Sequence, residues 1–322
     1  LSSGYDSIKS LLLIGALLEQ PTDECSMIKK NLEVLKNNLR EPLERMKPKL
    51  PSEIAMKCVK FAHEYKNRHD KFDNFRLNLV HDASWKDGIS KQEKVVDNIL
   101  AVIDETWNNP MYSEAEFRNK INKGTYVADI VLPLIRASLN GLQCYITTAE
   151  HQSVASQSRK NEQEKDARIG DKPDIMLAMT SNNKKFELLF VECSRILCTS
   201  REKNEDSTKL WREVNDGVSW IGKACKPAKN QFGVTGTQIY GTKMSLNVLM
   251  QDSNNLNRYF HVKEVEIPLI PCDANGIINI VDLLLTLRNI VIINHSLLRS
   301  AVKNALNHQP HMVIPSTTVK KF

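Results

Sequence analysis

The 322-residue chain offers no cysteine framework. Its seven cysteines, at 25, 58, 144, 193, 198, 225 and 272, are odd in number and never form a C-x-x-C pair. That excludes a disulfide scaffold and argues against structural zinc; the thiols are those of a reducing compartment, nucleus or cytoplasm. Long apolar runs near the start are also lacking. Leu11 to Leu18 falls far short of the ~20 residues that span a bilayer. No basic segment precedes it, so neither a secretory signal nor membrane binding is expected, and Leu1 in place of Met suggests an internal fragment.

Nucleotide cradles are missing as well. The 12 glycines make no G-x-x-x-x-G-K-[ST] loop and no G-x-G-x-x-G after a strand. There is no G-x-S-x-G elbow, no H-E-x-x-H helix and no H-x-E with a C-x-x-C. His63, His69 and His81 lack metal-ligand spacing. Acidic residues are absent from 217–251, which holds Lys223, Lys226, Lys229 and Lys243, and again after Asp282. The net charge of +6 is therefore unevenly placed, since residues 1–100 carry 17 basic against 15 acidic side chains. Positive potential for a polyanion is expected in the second half, not the first.

What remains is a globular composition, 41% hydrophobic and 25% charged. Residues 1–107 read as an all-helical region, with apolar stripes over Ser7–Gln20, Met27–Met46, Ser52–Lys66 and Lys91–Trp107. These helices carry no visible chemistry, and a protein partner is the expected use for any free face. From Asn108 the texture changes. Ser113-Glu-Ala-Glu116 reads as a helix start, and a helix is expected over Tyr126–Asn140, with Pro133 kinking it or opening a new turn. Strands are expected at Cys144–Thr148, Asp174–Met179, Phe186–Cys193, Phe232–Tyr240, Met244–Met250 and Tyr259–Ile267. The polar stretch Gln152–Gly170 reads as a mobile loop, Ser207–Lys223 as a helix, and Ile277–Asn307 as one or two closing helices. The division expected is 1–107, a core over 108–270, and a C-terminal helix and tail over 271–322.

Two carboxylates stand out. Asp174 heads one strand of a hairpin and Glu192 ends its antiparallel neighbour, so both meet at one end of the sheet. Converging carboxylates offer the hard oxygen ligands that Mg²⁺ or Mn²⁺ takes, and such an ion can activate water against a phosphodiester.

Pro173-Asp174, then Glu192-Cys193-Ser194, on these strands resembles the PD-(D/E)XK superfamily, the restriction-endonuclease-like nucleases. The stretches GTYVADIVLPLI, KPDIM, LLFVECSR, KLWREVNDG and QIYGTKMSLNVL are similar to a fungal subgroup of that superfamily. The resemblance covers about residues 113–251 and implies an α/β restriction-endonuclease-like mixed sheet, in α-β-β-β-α-β order. It also implies Mg²⁺ or Mn²⁺ on Asp174 and Glu192, a DNA or RNA partner, and a helical acid at Glu114, Glu116 or Asp129. The motif lysine is replaced by Ser194. Lys209, on the following helix, is the expected stand-in, ahead of Arg195, which as a strand neighbour points to the other face. Arg168, Lys172, Arg195, Lys223 and Lys226 are the expected phosphate contacts. If no cation replaces the lysine, the expectation is a catalytically inactive pseudonuclease serving as a structural or protein-binding module.

Overall fold

The computed structural model describes residues 30, 31, 33, 34, 51–69, 76–162 and 168–307. The chain divides into two compact units, 1–74 and 75–322. In the first, residues 30, 31, 33 and 34 are helical, and α1 runs Ser52–His69 with Glu53 in its first turn. The helix expected over Ser7–Gln20, and most of that over Met27–Met46, lie outside the described residues.

The second unit is a mixed α/β assembly around a six-stranded sheet ordered β1-β2-β3-β4-β5-β6. The strands are Tyr145–Thr148, Ile175–Ser181, Lys184–Cys193, Gly233–Tyr240, Lys243–Gln251 and Asn257–Glu266. All neighbours pair antiparallel except β3 and β4, which are parallel. A parallel pair needs a long crossover, and a 26-residue helix, Ser200–Cys225, supplies it. The β2–β3 turn places Asn182 and Asn183 at φ 50° and 58°, the left-handed pair that a two-residue hairpin favours.

Five further helices frame the sheet: α2 (Ile89–Trp107), α3 (Lys123–Tyr126), α4 (Leu132–Leu139), α5 (Val154–Asn161) and, after the crossover helix α6, α7 (Ala274–Asn307). Two single-turn helices, Pro110–Ser113 and Ala115–Arg118, precede α3. A π-helical turn over Val127–Val131 joins α3 to α4. Pro133 lacks an N–H and its ring crowds the carbonyl four residues back. The wider turn just before it lets the helix continue instead of stopping.

Val95, Ile99 and Ile103 of α2 recur every fourth residue and are buried in the same core as β2, β3 and α7. The expected boundary at 107/108 therefore runs through one core, because this stripe has no separate partner to cover it. The C-terminal helix belongs to that core too. Leu283, Leu284, Leu287 and Val291 are fully buried, and Arg288 pairs with Asp87 at 2.5 Å while donating to the carbonyls of Ser138 and Asn140. By length and apolarity α7 could also cross a membrane.

Helix α6 packs on β3, β4 and β5. Its stripe Leu210, Val214, Val218 and Ile221 is buried at helical spacing. Two glycines allow its close approach: a Cβ on Gly217 would sit 3.0 Å from the Phe190 ring, and one on Gly236 3.0 Å from Val214. The capping box Thr199/Glu202 starts the helix seven residues earlier than Ser207.

The expected mobile loop 152–170 is corrected in part. Residues Val154–Asn161 form α5, with the Ser153 hydroxyl accepting from the Ser156 N–H at its start. Glu187 of β3, fully buried, accepts hydrogen bonds from Ser153 Oγ at 2.7 Å and from the N–H groups of Val154 and Ala155. A serine cap plus a buried carboxylate at a helix N-terminus is enough to fold so polar a segment.

Candidate functional site

The hairpin register pairs Ile175 with Val191, which puts Asp174 beside Glu192. Asp174 Oδ2 accepts from the Cys193 N–H at 2.8 Å, so its carboxylate is pinned at the end of β3. Glu192 is fully buried. It lies on the same strand face as Phe190, which meets α6. From that helix Lys209 Nζ reaches Glu192 Oε1 at 2.7 Å, and it also donates to the Lys172 carbonyl at 3.1 Å. Lys209, the cation expected where the resemblance implies a lysine, thus stands against Glu192.

Three charged neighbours were not anticipated. Lys123, in the first turn of α3, lies 2.7 Å from Asp174 Oδ2. Glu213, one turn beyond Lys209, is buried with Lys209 Nζ 3.8 Å away. Asp206 accepts from the Ser194 hydroxyl at 2.5 Å. The residue in the lysine's position is thereby tied to α6 by a hydrogen bond. Asp206, Lys209 and Glu213 recur at helical spacing beside the buried stripe of α6. Charges placed so near an apolar stripe were a readable signal. Lys123 carried none beyond the Asn122 cap in front of it.

Apart from the Lys209 ion pair, the oxygens of Glu192 and Glu213 have no polar partner among the described residues other than each other. Burial pushes the carboxyl of Glu192 above the ordinary range, and Asp174 adds to the rise, while Lys209 and Lys123 oppose it. Glu213 is raised by burial and then by the charge of Glu192. Lys123 and Lys209 are held protonated by these acids against the opposing effect of burial. A cleft of about 390 Å³, lined by Lys123, Gly124, Thr148, Glu150 and Asp174, opens onto the group.

The other expected residues are elsewhere. Glu114 is exposed at the break between the two single-turn helices. Glu116 is exposed and pairs with Lys120. Asp129 sits on the π-helical turn, exposed, and accepts from the Tyr112 hydroxyl at 3.4 Å. Among the described residues no contact joins any of the three to Asp174 or Glu192. Arg195 is exposed and paired with Glu202 at 2.8 Å. Lys172 borders the site through its carbonyl, and its ammonium is 3.5 Å from exposed Glu150. Arg168 is exposed, its N–H bonded to Asn161. Lys223 pairs with Glu162, and Lys226 caps the C-terminus of α6. At 1.5 Å per helical residue, Lys223 and Lys226 lie ~21 and ~25 Å along the axis from Lys209. Gln238 is opposite Glu192 in the parallel register, its amide donating to the Lys203 carbonyl at 2.7 Å.

Hard carboxylate oxygens at adjacent strand ends suit Mg²⁺ or Mn²⁺ in kind, and the buried oxygens of Glu192 are groups such an ion would satisfy. Among the described residues no cluster of three or more His, Cys, Asp or Glu is placed to hold one. Asp174 and Glu192 are the two carboxylates that such an ion would share here, within the habit of Mg²⁺ of taking one or two carboxylates. No family model matches the chain, and no curated protein or solved structure matches it.

Proposed function

We propose that residues 108–270 are a restriction-endonuclease-like PD-(D/E)XK core that binds DNA or RNA and hydrolyses phosphodiester bonds with Mg²⁺ or Mn²⁺. The observation that carries this reading is Lys209 Nζ, 2.7 Å from Glu192 Oε1. What supports the fold assignment is the helix α3–α4, the antiparallel β1-β2-β3 strands, the crossover α6 and the strand β4, the order the sequence resemblance implies except for α5 inserted between β1 and β2.

Asp174 and Glu192 would hold the ion, which supplies Lewis-acid polarisation of the phosphate and a more acidic water when bound. Lys209, kept protonated by Glu192 and Glu213, faces the same point and stabilises negative charge as it develops on the phosphate. The N–H of Cys193 fixes the orientation of the Asp174 carboxylate. Lys123, at the mouth of the cleft, supplies a second cation for a phosphate oxygen.

Lys123 also favours a second reading. Two ammonium groups already neutralise two carboxylates, the arrangement of a pseudonuclease that binds without cutting. Plasmid nicking with Mg²⁺ or Mn²⁺ separates the two. Hydrolysis predicts nicking by the wild type that is lost in Asp174→Ala/Glu192→Ala and falls by ~10²-fold or more in Lys209→Ala. Equal background nicking by all three proteins would exclude hydrolysis.

A further inference from the structure

We infer that the outward stripe of α6 is a track for a nucleic-acid backbone, with Lys223, Lys226 and Lys229 as its phosphate contacts farthest from the carboxylates. This rests on the nucleic-acid reading above and extends it to a second place on the molecule.

At the C-terminal end of α6 a groove of about 550 Å³ is floored by Val218 and Phe232 and edged by these three lysines and Asn255. No carboxylate lines it. Lys223 is held by Glu162 across its rim, and Lys229 donates to Asn255 Oδ1 at 2.5 Å. Lys226 adopts φ 47°, the left-handed cap position where glycine is favoured. Strained backbone gathers where structure serves something besides stability. At Lys226 the side chain that the strained position presents is an exposed ammonium.

Residues 205, 208, 212, 219, 222 and 226 follow one another at three, four or seven positions, so they share one side of the helix. The groove, Thr208 and Arg212 therefore face outward together, with Lys209 at the inner edge of the same helix. One acid of this stripe, Glu205, is paired to Arg201. The cations from Lys209 to Lys226 span ~25 Å. A free phosphate or nucleotide is too small to meet both ends. A lipid surface would require a run of apolar side chains; on α6 only Trp211 is large, apolar and exposed, and Ser200, Asn204, Thr208 and Arg212 stand around it. A repeating polyanion fits: at 3.4 Å per base pair, the span is about seven base pairs.

The test is fluorescence anisotropy with labelled duplexes of about 20 and about six base pairs, the shorter too small to bridge the span. Lys223→Gln/Lys226→Gly/Lys229→Gln should weaken binding of the long duplex by about tenfold or more and flatten its salt dependence by two to three charges. Binding of the short duplex should change less than about twofold. Lys226→Gly alone should weaken long-duplex binding without lowering the melting temperature, because glycine relieves the left-handed position. Unchanged affinity and salt slope for the long duplex overturns the track. Nicking measured alongside keeps the two ideas apart. Nicking with no effect of the lysines removes the track and leaves the hydrolase; lysine-dependent binding with no nicking does the reverse.

Discussion

Glu187 and Glu192 lie five positions apart on β3 and are both fully buried, yet they are treated differently. Glu187 accepts one hydroxyl and two backbone N–H groups, and its charge sits at the N-terminus of α5. Glu192 has only the Lys209 ion pair and the carboxyl of Glu213 as polar partners among the described residues, and Asp174 crowds it with like charge. A buried carboxylate with its hydrogen bonds met is part of the framework. One that meets lysines and a second carboxyl in place of backbone donors is costly to the fold and is retained for another reason.

Three measurements can break or sharpen that contrast. The largest effect is expected for Glu187→Ala. It leaves the Ser153 hydroxyl and two N–H groups of α5 without their acceptor and should cost about 3 kcal/mol in denaturant unfolding. Glu192→Gln should stay within about 1 kcal/mol of wild type, since Lys209 can turn its ammonium to solvent. Equal losses from the two changes would mean that both carboxylates are structural.

The next effect is in pH dependence. Glu192 is raised in the folded protein, so its contribution is full below the ordinary carboxylate range and is lost as pH rises through its folded value. Wild type should therefore lose about 1–2 kcal/mol more stability than Glu192→Gln between about pH 5 and about pH 9. Parallel stability profiles for the two proteins would count against the crowding argument. The smallest effect applies the same contrast to backbone. Lys226→Gly should stabilise by about 0.5–1 kcal/mol, read as a higher denaturation midpoint, because a lysine at φ 47° is not there for the fold.

Much of this was legible because it is local. The strands around Asp174 and Glu192 are short apolar runs, buried along most of their length, and Asn182-Asn183 marks their turn. Lys209 could be expected because a helix after β3 must lie on the sheet with one side toward Glu192. Lys123 could not, since it reaches Asp174 from 51 positions earlier, through a short helix whose own sequence says nothing about the sheet. The helical acids Glu114, Glu116 and Asp129 fail for a related reason. The chain breaks at Glu114 and widens into a π-helical turn at Asp129, neither of which hydrophobic spacing reveals. Helix α5 was hidden by its polarity, because what holds it is Glu187, 33 positions away. Lys223 and Lys226 were expected among the phosphate contacts, but a rigid helix carries them ~21 and ~25 Å along its axis from Lys209, a separation that hydrophobic spacing does not reveal.

The parallel pairing of β3 with β4 has a kinetic consequence. Each half of the sheet, β1-β2-β3 and β4-β5-β6, pairs strands that are neighbours in sequence; short turns join all of these neighbours except β1 and β2, whose connection holds α5. The seam between them closes only after α6 has formed and swung across, which makes it the contact with the greatest loop-closure cost among adjacent strands. Glu192 sits on that seam opposite Gln238, with Lys209 delivered by the crossover itself. In refolding, sheet signal should therefore return before Lys209 meets Glu192, so the charged cluster is the last part of this half of the molecule to assemble.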